Sequence, residues 1–147
     1  RHELLLNSMV RSAVRTGTVQ VSNPQARRSV LAMNDLVATI QALIEVQPAA
    51  GFYNLASYSM SIGEFGEAVA RQLGARVVEM PGTGTYTFAV DSTKICQALG
   101  RPLLTSMPAL IDEIAAFYEA ESKDAPCATF QAPKTPAWHA DRLALST

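Results

Sequence analysis

Stretches of helical and of strand-like periodicity take turns along this chain, and that alternation narrows it to an α/β fold before any motif is considered. Leu5, Leu6, Met9, Val10, Ala13 and Val14 recur at helical spacing, so residues 3–16 read as a helix stopped by Gly17. Thr18 to Val21 alternates as a short strand and is broken by Ser22-Asn23-Pro24. Arg28 to Ala32 suits a second strand. Asn34 then caps a helix with Asp35 in its first turn, a buried stripe of Leu36, Val37, Ile40, Leu43 and Ile44, and an end at Pro48. Gly51 to Ala56 reads as a buried strand. Ser61-Ile62-Gly63-Glu64 is a capping box that opens a helix to about Leu73, with Gly74 after it. Arg76 to Met80 is a further strand, 81–84 a loop, and residues 86–90 are strand-like through Tyr86, Phe88 and Val90. Asp91 caps a short helix ending near Leu99-Gly100. Ser106 caps the last one, with Pro108 near its start and Leu110, Ile111, Ile114, Phe117 and Tyr118 on its core face.

From Lys123 the pattern dissolves among Pro126, Pro133 and Pro136. The expected division is therefore an α/β domain over residues 1–122 and an irregular tail over 123–147, which Trp138 is placed to anchor. At 147 residues the chain is about one domain's worth. A chain of this size buries roughly 70% of its unfolded surface. Apolar residues make up 48%, which fits a globular soluble protein. The net charge of −1 argues against a nucleic-acid binder or a polybasic membrane binder. No apolar run is long enough to span a bilayer, and the N-terminus lacks the order of a signal peptide. Cys96 and Cys127 are too few for a disulfide scaffold and lack zinc-site spacing, so a reduced, cytoplasmic setting is the simplest expectation. The chain begins at Arg1, already helical in pattern, as a piece of a longer protein or a processed form would.

The search for catalytic chemistry is mostly negative. Gly82-Thr83-Gly84 is not a dinucleotide fingerprint, there is no phosphate loop, and no Tyr is followed four residues later by Lys. His2 and His139 stand near opposite ends without metal-ligand spacing. Asp112 and Glu113 are adjacent on a helix, so their side chains diverge; a plain solvated face is expected. One arrangement stands out. The segment from Arg27 to Asp35 (Arg-Arg-Ser-Val-Leu-Ala-Met-Asn-Asp) sets basic residues before a strand and an acidic one at the head of a helix. An Arg there can clamp a phosphate through its planar fork. The competing reading of Arg28 is a surface pair with a carboxylate, worth about 0–1 kcal/mol. Arg27 should be solvated, because strand neighbours point to opposite faces.

This segment resembles the "R-x-φ-φ-x-V-x-D-φ" stretch of extended short-chain dehydrogenase/reductases, the NAD-dependent sugar-nucleotide epimerases and dehydratases. Three further matches follow the family's order. Gly51-Phe-Tyr-Asn54-Leu-Ala-Ser57 with Ser61-Ile-Gly-Glu64 looks like "G-x-Y-N-φ-x-S … S-I-x-E". Asp91-Ser-Thr-Lys94 with Leu99-Gly100-Arg101-Pro102 looks like "D-x-S-K … L-G-W-x-P", with Arg101 where Trp is common. Leu4 to Val10, with Gly17, looks like the helix opening the substrate region. The resemblance covers about residues 3–120.

It implies a parent whose N-terminal half is a Rossmann domain with a glycine-rich turn for NAD(P) and a Tyr-x-x-x-Lys pair. This chain resembles only the C-terminal, nucleotide-sugar binding half. It therefore carries no cofactor site or catalytic residue of its own and should not transfer hydride alone. Carried over by position, Arg28 matches the Arg that contacts the substrate diphosphate, Asn7 or Ser8 lies in the nucleotide-lining region, and Asp35 and Asp91 match structural caps. Asn54 is either a ligand contact or a satisfied buried amide. Lys94 should be an exposed helix residue, Cys96 a buried inert thiol, and Met9 and Met33 core fillers. Tyr86 and Phe88 either wall a pocket or form a strand's core face. The partners this implies are a nucleotide-sugar, with a UDP-sugar among the candidates, and either a second copy or a chain supplying the Rossmann half. The other reading is a non-catalytic interaction or dimerisation module on the same fold.

Overall fold

The computed structural model describes residues 4–82 and 84–123. Its elements run α1 (Leu5–Thr16), β1 (Thr18–Val21), β2 (Arg27–Val30), α2 (Met33–Val46), β3 (Tyr58–Ser61), α3 (Ile62–Leu73), β4 (Arg76–Glu79), α4 (Thr93–Leu99) and α5 (Met107–Lys123). The expected tail, with Cys127, Trp138 and His139, lies outside the described residues, as do His2 and Thr83.

The strands form two separate pairs. β1 and β4 run parallel, with Val19 opposite Val77, while β2 and β3 run antiparallel, with Arg28 opposite Met60. α3 links them. Its capping box is intact: Ser61 Oγ accepts from the Glu64 N–H, and the Glu64 carboxylate accepts from the Ser61 N–H at 2.7 Å. The helix then lies close on β1 because Gly66 has no side chain; a Cβ there would stand 2.5 Å from Val21 Cγ2. Val10 of α1, Val19 of β1, Phe65 and Val69 of α3, and Ile111 and Tyr118 of α5 fill the space between. Gly17 and Gly74 end their helices left-handed (φ 65 and 63), each donating its N–H back to the last turn.

The structure departs from the sequence reading at several places. The expected strand 51–56 is irregular, and the strand is Tyr58–Ser61; Ser57 N–H donates to Val30 O, so β2 recruits the residues just after the apolar run. Phe52 is 97% exposed and Asn54 is exposed, so Asn54 is not a buried amide. Residues 86–90 are extended but form no ladder. Ser29 Oγ and Ser59 Oγ, rather than a strand backbone, receive the Val90 N–H. Ala32, not Asn34, is the N-cap of α2, because the chain stays extended through it (φ −73, ψ 138). Asp91 sits one residue before its helix's N-cap, yet its Oδ1 still accepts the Thr93 N–H at 2.8 Å. Last, the stripe expected to be buried on α2 is so only in part: Leu36 and Leu43 are half-buried, and Val37, Ile40 and Ile44 are exposed. Asp35, Thr39 and Ala42 face inward, while Met33 (65% exposed), Val37, Ile40 and Ile44 (69%) face out. Phe117 is likewise exposed rather than in the core. Met9 is buried as expected and Met33 is not; Cys96 is half-buried, with Ile95 taking the inward place on α4.

Candidate functional site

The antiparallel pairing of β2 throws its two arginines to opposite sides. Arg27 is exposed and donates to Ser59 O at 2.6 Å, beside its own strand. Arg28 turns to the segment that follows the glycine-rich loop. Its Nη1 donates to Arg27 O and to Tyr86 O, and its Nη2 donates to Thr85 Oγ1 at 2.6 Å. The guanidinium carbon also stands 4.4 Å from the Tyr86 ring centroid and 5.6 Å from that of Phe88. Those two rings stack on each other at 5.8 Å and 16°. They are exposed, Tyr86 by 73%, so they wall an opening rather than form a core face. Among the described residues no carboxylate pairs with Arg28, so the ion-pair reading does not describe it. Three of its five N–H donors are used, and two remain.

Arg28, Tyr86 and Phe88 belong to a groove of about 870 Å³, within the range of small-molecule sites. α1 brings Asn7 and Ser8 to it, α2 brings Met33, and α5 brings Glu113 and Ile114. Asn7 is half-buried; Ser8 is exposed, its hydroxyl donating to Leu5 O at 2.8 Å. So three of the four residues singled out from sequence, Arg28, Asn7 and Ser8, share one groove. Asn54 does not line it. Glu113 does, although its charge read as plain surface. Nothing in its immediate sequence marks it; only the packing of α5 does. The divergence of Asp112 and Glu113 holds: Asp112 accepts from Gln72 on α3, Glu113 from Asn34 on α2.

α2 also carries a buried carboxylate, which lines a separate small cavity with Thr39, Ile95 and Leu104. Asp35, 3% exposed, accepts the Ser57 hydroxyl at 2.6 Å and the N–H groups of Leu104 and Thr105, each at 3.1 Å. Ser57 Oγ in turn accepts the Ala32 N–H at 2.9 Å. Burial pushes the Asp35 carboxyl up, but these hydrogen bonds outweigh it and hold it below the usual carboxylate value. Burial, then the neighbouring Asp35 charge, pushes the Tyr58 hydroxyl up. Asp35 thus does not cap its own helix. It pins the 103–105 stretch that leads into α5, and so fixes where α5 meets the groove.

The described residues do not fit a dinucleotide cofactor. β4 runs on into an irregular stretch instead of a turn opening a helix, and Gly82 is packed against the Asn23 side chain, 2.6 Å from where its Cβ would be. No group of three or more His, Cys, Asp or Glu among the described residues is placed to hold a metal. No described helix is long and apolar enough to cross a membrane.

The fold is similar to part of the fold of several solved structures. It is similar to RMD from Pseudomonas aeruginosa in complex with NADPH, at TM-score 0.67 and 16% identity, over 82% of this chain and 44% of that one. It is similar to the dTDP-glucose 4,6-dehydratase of Bacillus anthracis in complex with NAD, at 0.66 and 16%, over 84% and 41%. It is also similar to the Bordetella bronchiseptica enzyme WbmG in complex with NAD and UDP, at 0.61 and 17%, over 88% and 44%. The chain thus spans about two-fifths of the length of the structures it matches. No protein-family model and no curated protein matches it.

Proposed function

We propose that this chain is the nucleotide-sugar binding portion of an NAD-dependent epimerase/dehydratase-like protein, and that it does not catalyse alone. The observation that carries this reading is the groove, where Arg28 keeps two N–H donors beyond those spent on Thr85, Tyr86 and Arg27. A guanidinium already held in place presents those donors to a diphosphate with less loss of side-chain freedom. Asn7 and Ser8 line the nucleotide side of that ligand, and the aromatic pair closes the wall behind it. The parent's NAD(P) is held by residues outside this chain's groove, and its hydride chemistry with it.

The exposed α2 stripe supports a partner. Met33, Val37, Ile40 and Ile44 form one continuous apolar row; the 52–55 backbone makes no backbone–backbone hydrogen bond among the described residues, with Phe52 O accepting from Lys94 Nζ at 2.9 Å. A sheet-bearing Rossmann half covers both features at once. A second copy of the chain covers the row alone, which is the interaction-module reading. Calorimetry with UDP-glucose separates them. Arg28→Ala should weaken binding about 10-fold or more, in line with a charged hydrogen bond of about 1.5–3 kcal/mol. Unchanged affinity removes the clamp, and no binding by the unaltered chain leaves the interaction module.

A further inference from the structure

The guanidinium of Arg28 is oriented by a segment that is not part of its own strand. Its Nη1 donates to Tyr86 O as well as to Arg27 O, and its Nη2 donates to Thr85 Oγ1 at 2.6 Å. Both Nη1 hydrogens and one Nη2 hydrogen are then taken. The donors that remain are Nε–H and one on Nη2, neighbouring nitrogens along one edge of the planar fork. Among the described residues the buried side-chain nitrogen left without a partner is Arg11 Nε, so Arg28 Nε, which also lacks one, is reached by solvent. Two adjacent N–H groups in one plane match two oxygens of a single phosphate.

The place of the 85–90 segment does not depend on Thr85. Thr87 Oγ1 accepts the Arg27 N–H at 2.7 Å, the Phe88 N–H donates to Arg27 O at 3.2 Å, and the Val90 N–H reaches the hydroxyls of Ser29 and Ser59. Thr85 is exposed and does not line the groove, so its hydroxyl acts on a ligand there through the guanidinium. Without that hydroxyl Nη2 loses its acceptor, and less holds the plane of the fork.

We propose that Thr85 is a positioning residue of the clamp: it sets the Nε–Nη2 edge of Arg28 for two oxygens of one phosphate. This rests on the nucleotide-sugar reading above for what carries that phosphate. The test is calorimetry on the full chain with UDP-glucose, with inorganic pyrophosphate followed in parallel by phosphorus NMR. Thr85→Val should weaken UDP-glucose about fivefold, the scale of ordering one freed side chain on binding. Thr85→Ser keeps the hydroxyl and should match the unaltered chain. In an Arg28→Ala background Thr85→Val should change nothing further, because the hydroxyl acts through the guanidinium. Thr85 is exposed, so its variants keep the fold, which circular dichroism checks. An affinity unmoved by Thr85→Val, a loss that Thr85→Ser shares, or an equal loss in the Arg28→Ala background overturns the proposal. If pyrophosphate binds, weakens with Thr85→Val, and UDP-glucose does not bind, the positioning role stands and the nucleotide-sugar reading falls. If neither binds, both fall.

Discussion

Replacing Asp35 should be the most costly polar change in the described chain. Its carboxylate satisfies three donors, the Ser57 hydroxyl and two backbone N–H groups, and is 3% exposed. Each hydrogen bond to a charged group contributes about 1.5–3 kcal/mol, and a buried donor left alone costs about 1–3. Against this stands the cost of burying the charge, so Asp35→Ala should lower stability by about 3 kcal/mol. For a chain of this length that is a fall in Tm of about 10 °C. Asp35→Asn keeps an acceptor for the Leu104 and Thr105 N–H groups and should cost about half as much. The pH dependence follows from the lowered carboxyl. A group whose folded value lies below its unfolded value, 3.8, stabilises fully above the latter and loses that stability as pH falls through the folded value. Urea unfolding followed by circular dichroism should therefore show the Asn variant's deficit largest at neutral pH and shrinking below about pH 4. A deficit constant from pH 7 to pH 3, or an Ala variant less than about 1 kcal/mol weaker, would refute the reasoning.

Gly66→Val should force α3 off β1, since even a Cβ meets Val21 Cγ2 at 2.5 Å; thermal unfolding should show a loss of about 1–3 kcal/mol. Ser61→Ala removes the capping box's acceptor and should cost about 1 kcal/mol, read from the same transition. Ile40→Lys with Ile44→Lys replaces exposed side chains, so the monomer's stability should stay within about 0.5 kcal/mol. If copies of the chain associate through this row, light scattering should show the mass of the variant falling to the monomer, and an unchanged oligomer mass would place the contact elsewhere.

Where a local rule settles conformation, it was legible in the residues. Gly17, Gly74 and the Ser61–Glu64 box place helix ends because the cap satisfies backbone donors and acceptors within a few residues. The strand between residues 51 and 61 lies at Tyr58–Ser61, past the apolar run, because apolar content alone does not choose a strand's partner. The pairing instead follows Ser59, whose hydroxyl bonds both Ser29 Oγ and Val90 O across the sheet. Tyr86 and Phe88 alternate as a core face would, and period alone does not say which side of a segment meets solvent. The place of Arg28 in the groove wall was legible because it follows from a strand that the residues around it mark. Glu113 was not, because its place beside the groove depends on α5, and α5 depends on Asp35 holding residues 104 and 105 far from it in sequence.

The α2 helix turns that distinction into an argument about the whole fold. Its apolar period was read correctly and its burial was not, since the inward face is Asp35, Thr39 and Ala42. A polar carboxylate inside and a row of Met33, Val37, Ile40 and Ile44 outside is the reverse of what solvent alone selects. Asp35 has its own reason to be inside, because it holds Ser57 and the approach to α5. The outer row has no such reason within the described chain. Burying such a side chain contributes about 1.5–3 kcal/mol, so covering four of them is a large free-energy incentive for association. The same helix thus does two jobs with two faces: the inner one holds Ser57 and the approach to α5, and the outer one, whose Met33 also lines the groove, is the surface on which the proposed partner would seat.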